Sequence, residues 1–470
     1  MILFLFLEPK IKMRFFTIIL ATDKNGGIGY KNELPWKFEM DSLFYKKNTE
    51  INLNYFGLEH NIKNILIMGR KTFEGIPKKK NVLYFIISSN NEIKKEESIF
   101  YFKHFYDAYL ECYKYNHSNI WVIGGSSIYD TAIKHWGCQS IYWTEIEGEF
   151  NVDTYFKVKE YNIKWETEIK KEDINKKDGK PYTLYFRKGM IEKNIEIQYL
   201  ELLENTLFHG EKRMTRNGYT LSQFSKKLSW NLNDGFPMLT TKKMFWKGIV
   251  EELLFFIRGD TNTKKLSEKG IHIWDKNTSK DFLNSNHLNY QEGEMGPMYG
   301  YQWRTFNGES GMDQLSNIIN LIKKEPTSRR LLITNFNPLQ VHLGVLYPCH
   351  SIIIQFYIEK NTLHCNTYQR SGDLFLGIPF NISSSSLFLS IISHLTNLKV
   401  GSVNLIVGDY HIYDSHIESV MEQLKRTPYS LPTLVMKDFK SLQEVEESTY
   451  EDYSLENYES HPSIKIDMVA

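Results

Sequence analysis

Cysteine is scarce in this chain. Four in 470 residues are too few for a disulfide framework, and Cys112, Cys138, Cys349 and Cys365 form no C-x-x-C pair of the kind that closes a zinc site. A reducing compartment is expected, and no metal is implied. Charge of one sign is equally scarce. The 57 Lys and Arg against 56 Asp and Glu leave a formal net charge of +1, so no global field favours nucleic acid or an anionic membrane. No basic patch with interleaved aromatics is evident, and there is no internal repeat or long linker. The apolar opening MILFLFLEPK is too short to cross a bilayer and carries neither a basic leader nor a small-residue cleavage site. Residues 1–12 are expected to be a disordered extension, and the protein to be cytoplasmic.

What is present is the balance of a soluble globular protein, 41% hydrophobic and 24% charged, with length for two or three domains. In the first part, short β-forming runs at 14–22, 64–69, 81–89, 119–125 and 141–146 alternate with helical spacing at 107–115 and 126–136. That alternation predicts an α/β domain, a mainly parallel central sheet with flanking helices. A polar loop joining two strands is expected over 170–180, closed by Asp178-Gly179. The boundary is placed near 188–195. Beyond it come an amphipathic helix at 196–210, the long helix WKGIVEELLFFIRGD, and strands in RRLLITNF, SIIIQFYIE and TLHCNTYQR. This second part reads as an α+β domain.

Several short signals in the first part are weak alone. NGGIGYKNELPW (25–36) is a Gly-rich loop after a strand, though not G-x-G-x-x-G. Gly26, Gly27 and Gly29 permit positive φ and close backbone approach. Asp41 is either a solvated helix charge or a carboxylate whose pKa an apolar cleft has raised. In MGRKTFEGI (68–76), Arg70 and Lys71 offer phosphate-binding charge, and Thr72 could cap the next helix or donate to phosphate. IGGSS (123–127) puts two glycines before a helix N-terminus, a ready anion site.

In this order and spacing the signals resemble dihydrofolate reductase over residues 13–187. The resemblance implies a sheet of about eight strands that binds NADPH and dihydrofolate. It makes Asp41 the acid that holds the pteridine and Thr144 the hydroxyl that buttresses it. Ile28, Gly29, Leu34 and Trp36 match the loop over the nicotinamide. Arg70, Lys71 and Thr72 match phosphate contacts, with Ser88 and Ser89 nearby, and Gly124, Gly125 and Ser126 match the helix start beneath the cofactor. One departure stands out: where the family clamps the folate carboxylate with an arginine, this chain has only Lys78, Lys79 and Lys80, point charges in place of a bidentate fork.

Cys349, in YPCHS (347–351), is by itself either a buried space-filler or a nucleophile. A thiolate needs positive charge, and Arg329, Arg330 and Arg370 are candidates. The blocks DGFPMLTTKK, EELLFFIRGDTN, GPMYGYQWR, SRR, PCH, YQRSGDLFLGIPFNI and GDYHIYDSH then identify residues 195–470 as similar to thymidylate synthase, joined to the first domain by a short linker at 188–194. Both halves together resemble the fused dihydrofolate reductase–thymidylate synthases, enzymes that methylate dUMP with methylenetetrahydrofolate and reduce the dihydrofolate product with NADPH.

The resemblance makes Cys349 the nucleophile that adds to carbon 6 of dUMP. Arg370 would lower the thiol pKa and hold the nucleotide phosphate with Ser371, while Arg329 and Arg330 would reach the partner subunit's nucleotide in a homodimer. Asn381 would pair with the uracil edge, and His411 and Tyr413 would hold the ribose. Glu252 would order water and relay protons, with Tyr299 assisting removal of the ring proton. Trp274 would pack on the folate ring, Asp373 would bond the pterin, Lys242 would meet the glutamate tail, and the closing DMVA would fold over the ligands. In EKRMTRNGYTLS (211–222) either Arg213 or Arg216 could be a further phosphate ligand, with Arg216 favoured.

Overall fold

The computed structural model describes residues 14–49, 64–79, 81–89, 98–115 and 119–466. The extension expected at 1–12, Lys80 and the closing DMVA (467–470) lie outside the described residues. The chain divides between Lys193 and Asn194 into two compact units.

The first unit has ten strands among the described residues: β1 (Phe16–Asp23), β2 (Gly27–Gly29), β3 (Asn64–Gly69), β4 (Val82–Ile87), β5 (Ile99–Phe102), β6 (Ile120–Val122), β7 (Cys138–Ile146), β8 (Thr154–Tyr155), β9 (Ile163–Ile174) and β10 (Pro181–Ile191). Eight form one sheet in the order β5-β4-β3-β6-β1-β7-β10-β9. From β5 to β7 all neighbours are parallel, and β10 and β9 close one edge as an antiparallel hairpin. The central strands are buried on both faces, NILIMG in β3 and VLYFII in β4 almost throughout, which is why they read as continuous apolar runs.

Four expectations need adjustment here. Residues 170–174 are not loop: β9 runs to Ile174, and the turn occupies Asn175–Lys180, with Gly179 at φ +72°. Nearly every residue of β9 is exposed, so the strand lacks the one-sided alternation that marks a half-buried strand. The helices are Phe105–Glu111, followed by a 3-10 turn at Cys112–Lys114, and Ser126–Ile133. Thr72 is no cap, because Gly69 holds the N-cap position of Arg70–Glu74. Finally, only Gly26 of the loop glycines takes positive φ, at +83°. Gly27 is needed for close packing, since a Cβ there would lie 2.6 Å from Val152.

In the second unit β11 (Glu211–Thr215), β12 (Gly218–Asn231), β13 (Leu332–Thr334), β14 (Ile353–Glu359), β15 (Thr362–Asp373) and β16 (Lys399–Tyr413) form a sheet in the order β11-β12-β16-β15-β14-β13. Only the pair β15–β16 is parallel. Of RRLLITNF only Leu332–Thr334 pairs as strand, leaving Arg329 and Arg330 before it and exposed.

Helix Ile195–His209, capped by Asn194, packs against β12, and helix Gly377–Leu395 against β15 and β16. The second helix is buried despite its four consecutive serines: Ser383 donates to the carbonyl of Pro237, and Ser386 bonds Trp230 and its own helix. The other face of the sheet is different. Ile353, Tyr368 and Ile406 are direct neighbours across three strands, and each is at least 36% exposed.

Candidate active sites

In the first unit Asp41 is the third residue of helix Glu39–Thr49. Burial raises its pKa to about 6, and the neighbouring Thr144 hydroxyl draws it back down. Thr144 is fully buried on β7 and makes no hydrogen bond of regular geometry among the described residues. The cleft reading of Asp41 therefore holds over the solvated one. Trp36 is buried in a cluster with Phe38, Ile146, Leu184 and Phe186, and Leu34 is 54% exposed.

The turn after β9 braces the site, a role the sequence did not suggest. Asn175 Oδ1 accepts from Lys37 N–H at 2.9 Å, Asp173 from Met40 N–H at 2.8 Å, and Lys177 donates to the Leu34 carbonyl at 2.6 Å. The Gly-rich loop is held as well. Asp23 accepts from the N–H groups of Asn25 and Gly27 at 2.9 and 2.7 Å, and β2, which contains Ile28 and Gly29, pairs with β8.

Gly69, Gly124 and Gly125 converge where β3 and β6 end. Gly69 N–H donates to the Gly124 carbonyl at 2.7 Å, Gly124 has φ +106°, and a Cβ on Gly125 would lie 3.5 Å from Thr72 Oγ1. Helix Ser126–Ile133 has no side-chain cap, and the Ser126 hydroxyl is spent on the Tyr155 carbonyl. Gly124 and Gly125 directly precede this helix, exposed Arg70 and Lys71 open the short helix Arg70–Glu74 after Gly69, and Ser88 and Ser89 follow β4. These residues fit a dinucleotide pyrophosphate. Lys78 lies 4.8 Å over the Phe73 ring.

In the second unit Cys349 precedes β14 and is half-buried. Tyr299 Oη lies 3.5 Å from its sulfur and accepts its N–H at 3.2 Å. The His350 ring stacks on Tyr299 at 4.4 Å, and burial holds His350 near pKa 4, so it is neutral and cannot supply the charge a thiolate needs. Arg370 can. Its guanidinium is pinned by the carbonyls of Pro348 and Tyr347 at 2.8 and 2.7 Å, and its N–H donates to the Cys349 carbonyl at 2.9 Å. Burial nevertheless outweighs Tyr299 and Arg370, leaving the thiol pKa raised. Arg370 does lower the thiol pKa, as expected, but desolvation raises it by more.

Glu252 lies on helix Trp246–Arg258, accepts from Trp274 Nε1 at 2.8 Å, and is pushed by burial up to about pKa 7. Asn381 donates to Gln369, whose own amide donates to the Ser371 carbonyl. Gln369 thus orients two predicted ligands, and it was already visible inside YQRSGD. His411 Nδ1 lies 2.9 Å from Asp409, with Tyr413 in edge contact with the ring. Asp373 accepts from Phe375 N–H at 2.8 Å.

Of the two hairpin arginines, Arg213 pairs with Glu211 at 2.7 Å, whereas Arg216 sits at the tip bonded to Asn217 and acts on Tyr413. Arg330 pairs with Glu325 in the solvent. Lys242 departs from expectation. It is 5% exposed, bonds the Phe375 carbonyl, lies 3.6 Å over that ring, and has a pKa lowered by burial to about 7, so its ammonium is not presented to a solvent-exposed glutamate tail.

The two folds and their sites define an enzyme with two active centres, a nucleotide-dependent reductase and a thiol-bearing synthase. Comparison with known proteins agrees. The dihydrofolate reductase family matches residues 15–189 and the thymidylate synthase family residues 197–470. The bifunctional dihydrofolate reductase-thymidylate synthase of Paramecium tetraurelia is 35% identical over 96% of this chain and 98% of its own length. Those of Plasmodium berghei and Glycine max are each 34% identical, over 98% and 97% of this chain and 92% and 95% of theirs. The chain belongs to the bifunctional dihydrofolate reductase–thymidylate synthase family. It methylates dUMP to dTMP with methylenetetrahydrofolate and reduces the resulting dihydrofolate with NADPH.

Proposed function

We propose that Cys349 carries the synthase reaction. Its thiolate forms a bond to carbon 6 of dUMP, and the electron pair displaced onto carbon 5 attacks the methylene carbon held by tetrahydrofolate. Glu252 and Tyr299 relay the proton lost from carbon 5. With that proton lost, the bond from the methylene carbon to the folate nitrogen breaks, hydride from the tetrahydrofolate ring completes the methyl group, and the Cys349–carbon bond breaks to leave dTMP and dihydrofolate. Arg370, Arg216 and Ser371 hold the phosphate. Asn381, set by Gln369, reads the uracil edge, since a buried amide left unpaired would reject cytosine. His411 and Tyr413 take the ribose, and Trp274 and Asp373 the pterin. The observation that carries this reading is the contact of the Cys349 sulfur with Tyr299 beside a guanidinium pinned by the neighbouring carbonyls.

In the reductase, Asp41 and Thr144 hold the pterin and favour its protonation. NADPH, when bound, supplies the hydride. Ile28, Gly29, Leu34 and Trp36 exclude water from the reacting carbon, and the glycine cradle with Arg70, Lys71 and Thr72 fixes the phosphates.

The synthase works as a homodimer. The exposed row Ile353, Tyr368 and Ile406 is the apolar surface a second copy would cover. Arg329 and Arg330, free of the sheet and exposed, would then reach the partner's phosphate. A cytoplasmic setting keeps Cys349 a thiol. An absorbance time course tests the whole: dUMP and methylenetetrahydrofolate should give a rise from dihydrofolate, and added NADPH a decay. No rise from pure dimer would overturn the synthase reading, and a rise without decay the reductase reading.

A further inference from the structure

We propose that Asn335 is a positioning residue of the synthase, holding the peptide that follows Cys349 and kept there at a cost to the stability of the fold. The proposal rests on the reading of Cys349 as nucleophile.

Asn335 directly follows β13 and is 1% exposed. Its Nδ2 donates to the carbonyl of His350 at 3.1 Å, and its backbone N–H donates to the carbonyl of Ile352 at 3.2 Å. The Thr334 hydroxyl donates to that same Ile352 carbonyl at 2.7 Å. From the other side, the N–H of Arg370 donates to the Cys349 carbonyl and the N–H of Ile352 to the Tyr368 carbonyl, both at 2.9 Å. Regular pairing of β14 begins only at Ile353, and Ser351 has φ +51°. Between Cys349 and Ile352 the chain is therefore irregular, and the carbonyls of Cys349, His350 and Ile352 are each held by a hydrogen bond. The carbonyl of His350 is fixed by the Asn335 amide.

The other end of that amide is an anomaly. Asn335 Oδ1 is buried and has no hydrogen-bond partner among the described residues. A buried acceptor without a donor costs free energy, and a leucine of similar size would remove the cost. Stability alone does not account for an asparagine here. Geometry does, because a short side chain ending in an N–H group is what reaches the His350 carbonyl, and leucine and aspartate lack one.

The hold bears on chemistry through two contacts. The peptide it anchors carries the His350 ring, which lies flat on Tyr299 with an interplanar angle of 19°. Tyr299 in turn meets both the sulfur and the N–H of Cys349. Releasing the carbonyl frees the 350–351 peptide to rotate, and the sulfur and Tyr299 lose their common reference. A displacement of about 1 Å at a nucleophile costs on the order of 100-fold in rate.

The test compares the full-length dimer with Asn335→Leu, Asn335→Ala and Cys349→Ser. For Asn335→Leu the expected result is a kcat for dTMP formation lower by about 10- to 100-fold, dUMP affinity within about twofold, and an unfolding temperature of the second unit unchanged or raised. Asn335→Ala should lose as much rate even where its cavity lowers the unfolding temperature. A kcat within about twofold of the parent for Asn335→Leu overturns the proposal. So does a fall of several degrees in its unfolding temperature, which marks an ordinary structural residue. If Cys349→Ser keeps synthase activity, the nucleophile reading fails and this one with it. If Cys349→Ser is dead and Asn335→Leu is fully active, this one fails alone.

Discussion

Glu252→Gln should make the synthase unit more stable and almost inactive, and the gain should depend on pH. The carboxyl sits on an apolar helix, is 7% exposed, and has Trp274 Nε1 as its hydrogen-bond donor. Its pKa is about 7 in the folded chain against an ordinary glutamate value of 4.5. Below the lower value both folded and unfolded chains carry the proton, and burial costs nothing extra. As pH rises from there, the unfolded chain releases the proton while the folded chain must hold it, and stability falls. Above about 7 the folded carboxyl ionises too and the penalty levels off. The gap between the two values corresponds to about 3 kcal/mol at its full extent.

Glutamine keeps an oxygen for Trp274 and never ionises, so it escapes the penalty. Thermal unfolding of both proteins should therefore differ little near about pH 5 and by about 2–3 kcal/mol near about pH 8, a shift of several degrees for a unit of this size. At the same pH, dTMP formation should fall by about 100-fold or more, since an amide cannot relay the proton. Equal stability gains at both pH values would refute the desolvated carboxyl, and full activity in the glutamine variant would refute the relay.

Asp41→Asn should lower reductase kcat by about 100-fold and leave synthase turnover intact. In the parent the protonated carboxyl is the useful form, so the reductase rate should fall as pH rises through about 6, and a rate that climbs there would contradict the role. Cys349→Ser should abolish dTMP formation while NADPH oxidation with added dihydrofolate continues. Tyr368→Asp with Ile406→Asp puts charge in the exposed row of the sheet; sedimentation should show monomers without synthase activity but with reductase activity, and an active monomer would remove the role given to Arg329 and Arg330. Arg216→Ala should raise the KM for dUMP by about tenfold, the loss of one charge-assisted bond, and Arg213→Ala far less; the reverse order would exchange the two arginines.

The sequence by itself determined the two chemistries and most of the residues that carry them. Cys349, Arg370, Asn381 and Asp41 were singled out through the family resemblance, which short, local blocks such as YQRSGDLFLGIPFNI carry. The parallel core of the first unit was legible for a physical reason: strands buried on both faces are predominantly apolar, as NILIMG, after its leading Asn64, and VLYFII are. Strand β9 was legible only as one arm of a hairpin and not in its extent to Ile174, because an edge exposed on both sides imposes no alternation on its residues.

Tertiary structure decided everything that depends on burial or on contacts between distant segments. Whether Asp41 is a surface charge or a proton-holding acid turns on its cleft and on Thr144 of β7. The thiol pKa of Cys349 is raised despite Arg370 because the desolvation of its pocket outweighs that one charge. Lys242, expected to meet the glutamate tail, is buried against Phe375. Asn175 and Asn335 carry no signal of their own, and Gln369 only that of the block YQRSGD around it, since an amide that holds another residue in place is recognised by what it touches. Sequence fixes which groups are available to react, whereas the field, the solvent and the distance each one meets come from residues far along the chain, and only the folded packing brings those together.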